Sequence, residues 1–510
     1  MDIFGIDNAA PAPTDVIEVY VGPTWFKVAC NRNGVLKNGV QISRYVRDNL
    51  QQREWNPNLR TFINTYNYTA YEPETGMALF PRYALDDFLS YLGDDNRVKQ
   101  VHVSPVTPGV MKAKSKSAFS PREEQKSLIE FLLADRYFKP ISAATGIGKT
   151  FVTINSMTTL GMPVLLILGS LIDQWIKSIK QFTTIKRDDI YIVQGFDSLK
   201  TLWEMLENGF KPKVTIFSTR TLSLYAVTCD APYNTLKSFA ELQKKIGFGT
   251  KVIDECHTNF YANTQIDLRC NIRNNIYLSA TYQRSDPTGR RIFDLVYPPE
   301  LRFGDQFGTK YTTVNMIQYH LGIHTEVMRR FKVAKGYLHA KYEGYLLKKR
   351  YYFTSYIQDV LLPVIRMYWI VNKKEGQRLL ILCQTKAFVQ AVADAIRFDL
   401  KDYKLKVYFS GDKSKEGNVK NLEADIIVST MKSCSTGVDI KGLKTCINTV
   451  SFASEPQAAQ TMGRLRQIPG EDTFFVDLWN GEVPTHFHHK RSRLGVYRTK
   501  ALKVIETVIR

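Results

Sequence analysis

Hydrophobic and polar positions divide the chain into three stretches. In the first, up to about residue 110, Ile17-Glu18-Val19-Tyr20-Val21 alternates with a period of two, and Trp25-Phe26-Lys27-Val28 follows in the same manner. Ile42–Gln52 predicts a helix, Thr61–Tyr71 a strand region rich in Tyr, Thr and Phe, and Tyr83–Leu92 a second helix. This is the pattern of a small α+β unit. Val101–Ser120 then breaks the periodicity with Pro105, Pro108 and Gly109, followed by Lys112, Lys114 and Lys116 among small residues. Such composition predicts a charged linker.

Beyond it, short apolar runs alternate with helical patterns, which predicts a parallel sheet covered by helices. Val164–Leu168, Val214–Phe217, Lys251–Asp254 and Asn275–Leu278 read as strands, and Leu171–Phe182 as an amphipathic helix. Residues 305 to 375 read as helical and basic, with Arg329-Arg330, Lys348-Lys349-Arg350 and the aromatic run Tyr352–Asn372. A second series begins at Arg378: strand Leu379–Leu382, helix Ala387–Asp399, strand Asp425–Thr430, and Thr473–Leu478 to close the set. The expected architecture is α/β, with a small domain over 1–110, one α/β domain over 111–305 and another over 306–510.

Composition changes this picture in one respect. Lys and Arg total 69 against 49 Asp and Glu, a formal net charge of +20, which points to a polyanionic partner. No apolar run is long enough to span a membrane, and the first residues lack the basic-then-apolar order of a signal peptide. The seven cysteines are scattered without paired-ligand spacing, so neither a disulfide framework nor a zinc site is expected, and a reducing cytoplasm fits.

Candidate chemistry centres on Ala143-Ala144-Thr145-Gly146-Ile147-Gly148-Lys149-Thr150. A strand end, a tight turn of small residues and a helix N-terminus make an anion cradle of backbone N–H groups. In that setting Ala144, Thr145, Gly146, Ile147 and Gly148 line the phosphates, Lys149 reaches the β- and γ-phosphates, and the Thr150 hydroxyl meets Mg2+. Asp254-Glu255-Cys256-His257 lies at the end of an apolar strand. Two adjacent acids there divide the labour, Asp254 holding Mg2+ and Glu255 orienting the attacking water. Gln460-Thr461-Met462-Gly463-Arg464-Leu465-Arg466 offers arginines on a helix as charge-stabilising fingers. Taken singly, the loop has an ordinary Gly-rich turn as its lesser alternative, an Asp-Glu pair at a strand end is usually a solvated terminus, and an isolated arginine pair is more often a basic helical face.

Together they resemble the superfamily 2 DExH-type helicases, in which two RecA-like lobes bind ATP between them. Ala143–Thr150 resembles motif I, whose first glycine is often absent in that superfamily, Asp254–His257 motif II, Ser279-Ala280-Thr281 motif III and Gln460–Arg466 motif VI. Phe119–Gln125 resembles the Q-type motif, implying adenine contacts from Gln125 with Arg122 beside it. Leu165–Trp175 resembles motif Ia and Ser218-Thr219-Arg220 motif Ib, while Ser429–Asp439, with Gly437 and Asp439, resembles motif V. Within the superfamily the chain is most similar to the XPB/UvsW-like branch, including phage-encoded members. Thr281–Asp286 and the N-terminal Asn56–Arg60 and Leu79–Arg82 carry that likeness, the last two as part of a small DNA-engaging domain.

The resemblance implies an ATP- and Mg2+-dependent enzyme that moves on DNA and remodels forks or branches in replication, recombination or repair. It implies backbone contacts from Ser170, Ser218, Thr219, Arg220, Thr430 and Thr436. Two positions depart from the family pattern. Gly169-Ser170 replaces the usual Pro-Thr of motif Ia, and Arg466 follows Arg464 by two residues where many members place the second arginine three after, so either can be the finger. The basic stretches 329–350 and His486–Arg498 are candidates for guiding a DNA arm, and Tyr66, Tyr68 and Tyr71 for stacking on bases. Alternatives are a duplex translocase that does not separate strands, an RNA helicase, and a DNA-binding scaffold with a vestigial ATPase. A monomer in the cytoplasm, the host's if phage-encoded, completes the expectation.

Overall fold

The computed structural model describes residues 16–509 except 57–60, 94–96, 144–146, 170, 230–236, 280–281, 283–286, 305–309, 329–330, 334–335, 410–421, 435–439 and 469. Contacts divide the chain into two compact units, one of Met1–Ala143 with Ile147–Phe307 and the other built on Gly308–Arg510.

Among the described residues, the first unit holds two large sheets and a two-stranded hairpin. The N-terminal one orders its strands Ala70–Glu72, Met77–Pro81, Trp25–Ala29, Val16–Val21 and Arg97–His102, the last pair parallel and the rest antiparallel. Phe26, Phe80 and Phe88 stack into its core, with ring centroids 4.9 to 5.2 Å apart. The helix expected over Ile42–Gln52 is shorter, Ser43–Asn49, because Gln51 already begins the hairpin Gln51–Asn56/Thr61–Asn67.

The larger sheet is wholly parallel, in the order Ile190–Val193, Val214–Ser218, Val164–Leu168, Thr250–Ile253, Asn274–Ser279 and Phe138–Ser142. Every residue of Val164–Leu168 is buried, as expected for a central strand with helices over both faces. Strand Ile190–Val193 is an addition to the predicted set.

The N-terminal sheet is fastened to the helix Phe260–Asp267 and the turn after it. Thr24 Oγ1 donates to the Asp267 carbonyl (2.7 Å) and the Trp25 indole N–H to the Cys270 carbonyl (2.8 Å). Gln265 Nε2 donates to the Asn67 carbonyl (3.1 Å), so the hairpin is held to the same helix. Tyr68 is consequently core, against Phe260 at 4.9 Å, while Tyr66 stays 41% exposed with its ring 4.8 Å from Tyr261. Of the tyrosines considered for base stacking, Tyr68 is closed off. Tyr71 is half-buried.

The charged linker is a strap. Its backbone N–H groups bond the carbonyls of Asn271 (from Val106), Gly247 (Gly109), Gly161 (Met111) and Phe182 (Lys116), and Met111 is buried. Val101 and His102 close the strand Arg97–His102, and from Val106 onward the strap meets its backbone partners on the parallel sheet's helices and loops.

The second unit is also a parallel sheet, ordered Leu405–Tyr408, Ile426–Thr430, Arg378–Cys383, Leu443–Asn448, Thr473–Asn480, Thr312–Tyr319 and Lys503–Val508. Four of its strands were unpredicted: Leu405–Tyr408, Leu443–Asn448, Thr312–Tyr319 and Lys503–Val508. Thr312–Tyr319 lies inside the stretch read as helical and basic, and Lys503–Val508 forms an edge where a tail was expected. His486–Arg498 belongs to the helix Pro484–Lys500, which buries His486, Lys490 and Arg493. That corrects the expected basic tail: half of its cations face inward. Arg493 donates through Nε to Asp477 Oδ2 (2.8 Å) and through Nη2 to Oδ1 (3.2 Å), both side chains at 0% exposure.

The fold class is therefore α/β: two RecA-like lobes, each a parallel sheet flanked by helices, and a small N-terminal α+β domain. Among the described residues, no helix is long and apolar enough to cross a membrane.

Candidate nucleotide site

Strand Phe138–Ser142 leads into the loop, and the helix Lys149–Leu160 leads out of it. Gly148, at that helix's N-terminus, has φ +90°, and a Cβ there would stand 2.5 Å from Gln125 Nε2. Only glycine fits both demands. Gln125, almost fully buried, donates from Nε2 to the Ile147 carbonyl at 2.7 Å, and Arg122 Nη2 donates to the same oxygen at 3.0 Å. These two side chains brace the phosphate loop, a role that the motif resemblance, which points to adenine, does not include. Lys149 Nζ donates to the Ala143 carbonyl at 2.6 Å, so its ammonium spans the loop it flanks. Thr150 follows in the first helical turn, half-buried. Ala144, Thr145 and Gly146 lie outside the described residues.

Asp254 stands one residue past strand Thr250–Ile253, its N–H donating to the Ile167 carbonyl of the neighbouring strand (3.2 Å). Its carboxylate accepts one N–H on each oxygen: the Trp175 indole on Oδ2 (2.8 Å) and the Glu255 amide on Oδ1 (3.0 Å). Burial, and next the charge of Glu255, push the Asp254 carboxyl up to about 6, against the pull of the Trp175 bond and the Lys149 charge. Glu255 takes φ +50° and Asn259 φ +49°, left-handed backbone that non-glycine residues adopt rarely and that concentrates at functional sites. His257 Nδ1 lies 2.8 Å from Ser279 Oγ and 3.4 Å from the Glu255 carboxylate, joining the acid pair to the end of strand Asn274–Ser279. Ala280 and Thr281 lie outside the described residues.

This donor set suits a nucleotide with Mg2+. Hydroxyl and carboxylate oxygens are the hard ligands Mg2+ prefers, and a buried carboxylate held above its ordinary range is stabilised by a cation. Among the described residues, no cluster of three or more His, Cys, Asp or Glu could hold a metal by itself. Such a sparse site matches an ion that keeps several waters and shares phosphate oxygens.

The remaining candidates are placed less directly. Ser218 caps the helix Thr219–Thr228, accepting the Thr221 N–H at 3.1 Å. Thr219 is buried and Arg220 is exposed. In the second unit Thr430 Oγ1 accepts the Ser433 N–H (3.1 Å) and is nearly closed to solvent. Arg464 and Arg466 come after the helix Glu455–Met462 has ended, whereas a helical position was expected. Arg464 is mostly buried, and Arg466 Nη1 donates to the Gly463 carbonyl at 2.7 Å. The helix stops because Gly463 and the residues after it bond back in tight turns. Ser170, Thr436, Gly437 and Asp439 lie outside the described residues, as do Arg329 and Arg330. Two contributors were given no role in the sequence reading, Trp175 and Asn259. Trp175 sits inside the stretch resembling motif Ia, and its single apolar position on an amphipathic helix was the only signal.

Residues 118–284, which contain the loop, Trp175 and the acid pair, match the family described as ResIII, the Type III restriction enzyme res subunit. No curated protein sequence matches the chain. Among solved structures, the chain is similar to bacteriophage T4 UvsW at 14% identity, over 97% of this chain and 99% of that one, with a TM-score of 0.36. It is similar to the helicase domain of Hef from Pyrococcus furiosus at 12% identity, over 76% and 100% of the two chains, with a TM-score of 0.45. A DEAD box protein from Methanococcus jannaschii matches at 15% identity, over 76% and 93%, with a TM-score of 0.41. The family match supports a helicase-type enzyme that uses a nucleotide and works on nucleic acid.

Proposed function

We propose that this chain is an ATP-dependent DNA helicase of superfamily 2, coupling hydrolysis to movement along DNA and to unwinding or branch migration of forked substrates. The observation that carries the reading is one arrangement. Lys149 spans the phosphate loop, and the Asp254 carboxylate is held by the Trp175 indole from the helix Ile172–Phe182 and by the Glu255 amide, within the segment that matches a helicase-type family. In the proposed mechanism the loop's N–H groups and Lys149 bind the β- and γ-phosphates, and Thr150 and Asp254 hold Mg2+, which when bound neutralises developing phosphate charge. Glu255 orients the attacking water and accepts its proton, with His257 and Ser279 fixing the carboxylate's neighbourhood. Arg464 or Arg466 supplies positive charge to the transferred phosphoryl group.

The net charge of +20 supports a polyanionic partner, and the choice of DNA and of a branched substrate rests on the resemblance to the XPB/UvsW-like branch. Ser218, Arg220, Thr430 and Thr436 are proposed to touch backbone phosphates, with weak sequence preference and strong salt dependence. A duplex translocase that leaves strands paired is the second reading, favoured by the restriction-subunit family match.

The deciding experiment is ATP hydrolysis by the purified protein with no nucleic acid, single strand, duplex, forked DNA and RNA, with Glu255→Gln as control. Stimulation by forked DNA, lost in the variant and accompanied by strand displacement, is the expected result. Stimulation by plain duplex without displacement selects the translocase. Stimulation by RNA alone overturns the substrate, and no stimulation by any of them leaves a binding protein.

A further inference from the structure

The described residues contain three non-glycine positions with positive φ: Leu171 (+67°), Glu255 (+50°) and Asn259 (+49°). All three follow two neighbouring strands, Val164–Leu168 and Thr250–Ile253, which pair in parallel from Val164 against Thr250 to Ile167 against Ile253. The two strained loops meet. A Cβ on Gly169 would lie 3.5 Å from Asn259 Nδ2, and Leu171 starts the helix Ile172–Phe182 that carries Trp175. Strain of this kind persists only where the surroundings over-determine the backbone.

At the meeting point, the indole N–H of Trp175 donates to Asp254 Oδ2 at 2.8 Å. The ring is only 2% exposed, and Leu168 and Ile179 share its apolar cluster. Packing therefore fixes the indole, and the indole fixes the plane of the carboxylate, because the opposite oxygen already takes the Glu255 amide. A buried phenyl ring would fill most of this space without supplying the N–H. The polar atom is therefore what distinguishes tryptophan here.

We infer that Trp175 is a positioning residue for nucleotide hydrolysis, acting through Asp254 and linking that carboxylate to Leu171, the strained residue at which its helix begins. The inference rests on the nucleotide-site reading above. The helix Ile172–Phe182 has its first turn at Leu171 and its fourth residue on the acid, so a ligand that moves Leu171 shifts the indole and with it the carboxylate. The indole N–H itself is spent on Asp254. Its loss should therefore weaken the Mg2+-dependent part of nucleotide binding and the nucleic-acid stimulation, while Mg2+-free binding persists.

The test compares the full chain with Trp175→Phe, and with Trp175 replaced by benzothienylalanine, which keeps the bicyclic shape and lacks the N–H. A fluorescent ATP analogue is titrated with Mg2+ and with EDTA, and ATP turnover is measured over a Mg2+ series with and without forked DNA. Both variants are expected to bind the analogue in EDTA within about twofold of wild type. They should need about 5- to 10-fold more Mg2+ for half-maximal turnover and lose most of the stimulation by DNA. Benzothienylalanine keeps the packing, so a defect shared by both variants belongs to the N–H. Wild-type Mg2+ dependence and wild-type stimulation in the benzothienylalanine protein overturn the inference alone. If wild-type binding of the analogue is indifferent to Mg2+, the nucleotide-site reading falls and the inference with it.

Discussion

Two aspartates, one in each unit, have opposite surroundings: Asp477 is buried and Asp254 is half-buried. Asp477 lies within a strand of the second unit's sheet and is met by the fork of Arg493, with Asn448 Nδ2 adding a bond at 2.8 Å. Asp254, just past a strand of the first unit's sheet, is held by the Trp175 indole and the Glu255 amide, both uncharged donors. An acid whose charge is matched inside the fold serves the fold. One that is oriented by neutral donors, and raised to about 6 by burial and the neighbouring glutamate, has no cation of the fold bonded to it among the described residues, which is the setting the proposed Mg2+ role requires. The contrast separates two parallel sheets that topology alone makes look alike.

The strongest way to break this contrast is to remove the charge that faces the phosphates. Lys149→Ala should lower ATP turnover by about 10²- to 10³-fold while DNA binding and the melting profile stay near wild type, as checked by steady-state kinetics, filter binding and calorimetry. A variant that turns over ATP at the wild-type rate would remove the basis of the functional reading.

On the structural side, Arg493→Met strands Asp477 without its partner, and should destabilise the second unit by about 3–5 kcal/mol in urea unfolding. The double change Asp477→Leu with Arg493→Met should regain most of that loss, because an apolar pair has no desolvation penalty to offset. If Arg493→Met melts like wild type, Asp477 is not held by that fork.

Acid sharpens the comparison next. His339, His486 and His489 sit beside Arg493 and Tyr337. Burial holds His339 at about 3 against an ordinary 6.5, and it lowers His486 and His489 as well. The Tyr337 hydroxyl lies 2.5 Å from His486 Nε2 and 3.0 Å from His339 Nδ1. The unfolded chain takes up protons below 6.5 that the folded state refuses, so stability falls as pH drops from 6.5 towards 3. Glu343 acts in the opposite sense. Burial raises it from 4.5 to about 7, so the folded state binds its proton first and gains stability as pH falls from 7 to 4.5. Asp254, raised to about 6, acts with Glu343, so the part that belongs to His339 is read from its variant: between pH 7 and pH 5, His339→Gln should show a shallower acid slope of melting temperature than wild type. An unchanged slope in that variant would remove His339 from the account.

The smallest effect belongs to Ser218. Its hydroxyl caps the helix Thr219–Thr228, so Ser218→Ala should cost about 1 kcal/mol of stability. If Ser218 also touches DNA, the variant will in addition show a salt slope for DNA binding reduced by about one. Loss of stability with an unaltered slope confines it to capping.

Much of the first lobe was legible because its chemistry is contiguous. A loop that must turn, open its N–H groups and start a helix needs Gly146-Ile147-Gly148-Lys149-Thr150 in an unbroken run, and the acid pair needs only the end of an apolar strand. Period-two and continuous apolar runs located nine of the strands that matter, since burial on one or both faces imprints itself locally. Where polar and basic residues dominate, the pattern misled. Thr312–Tyr319 carries Thr, Asn and Gln in a fully paired strand, and the inward-facing Lys490 and Arg493 are invisible as such in a basic helix.

What the sequence determined by itself is local: a glycine-rich loop between a strand and a helix, an adjacent acid pair, two α/β series and a surplus of positive charge. Tertiary structure alone decided which groups meet. Trp175 and Asp254 stand 79 positions apart, and they come together only because strands Val164–Leu168 and Thr250–Ile253 are neighbours in the sheet. The same holds for Arg493 with Asp477, and for the strap that lies on the lobe it was expected merely to tether. Turn and capping preferences act over a few bonds and leave a mark in composition. Strand order is set by the burial of the whole sheet, and no short stretch of residues records it.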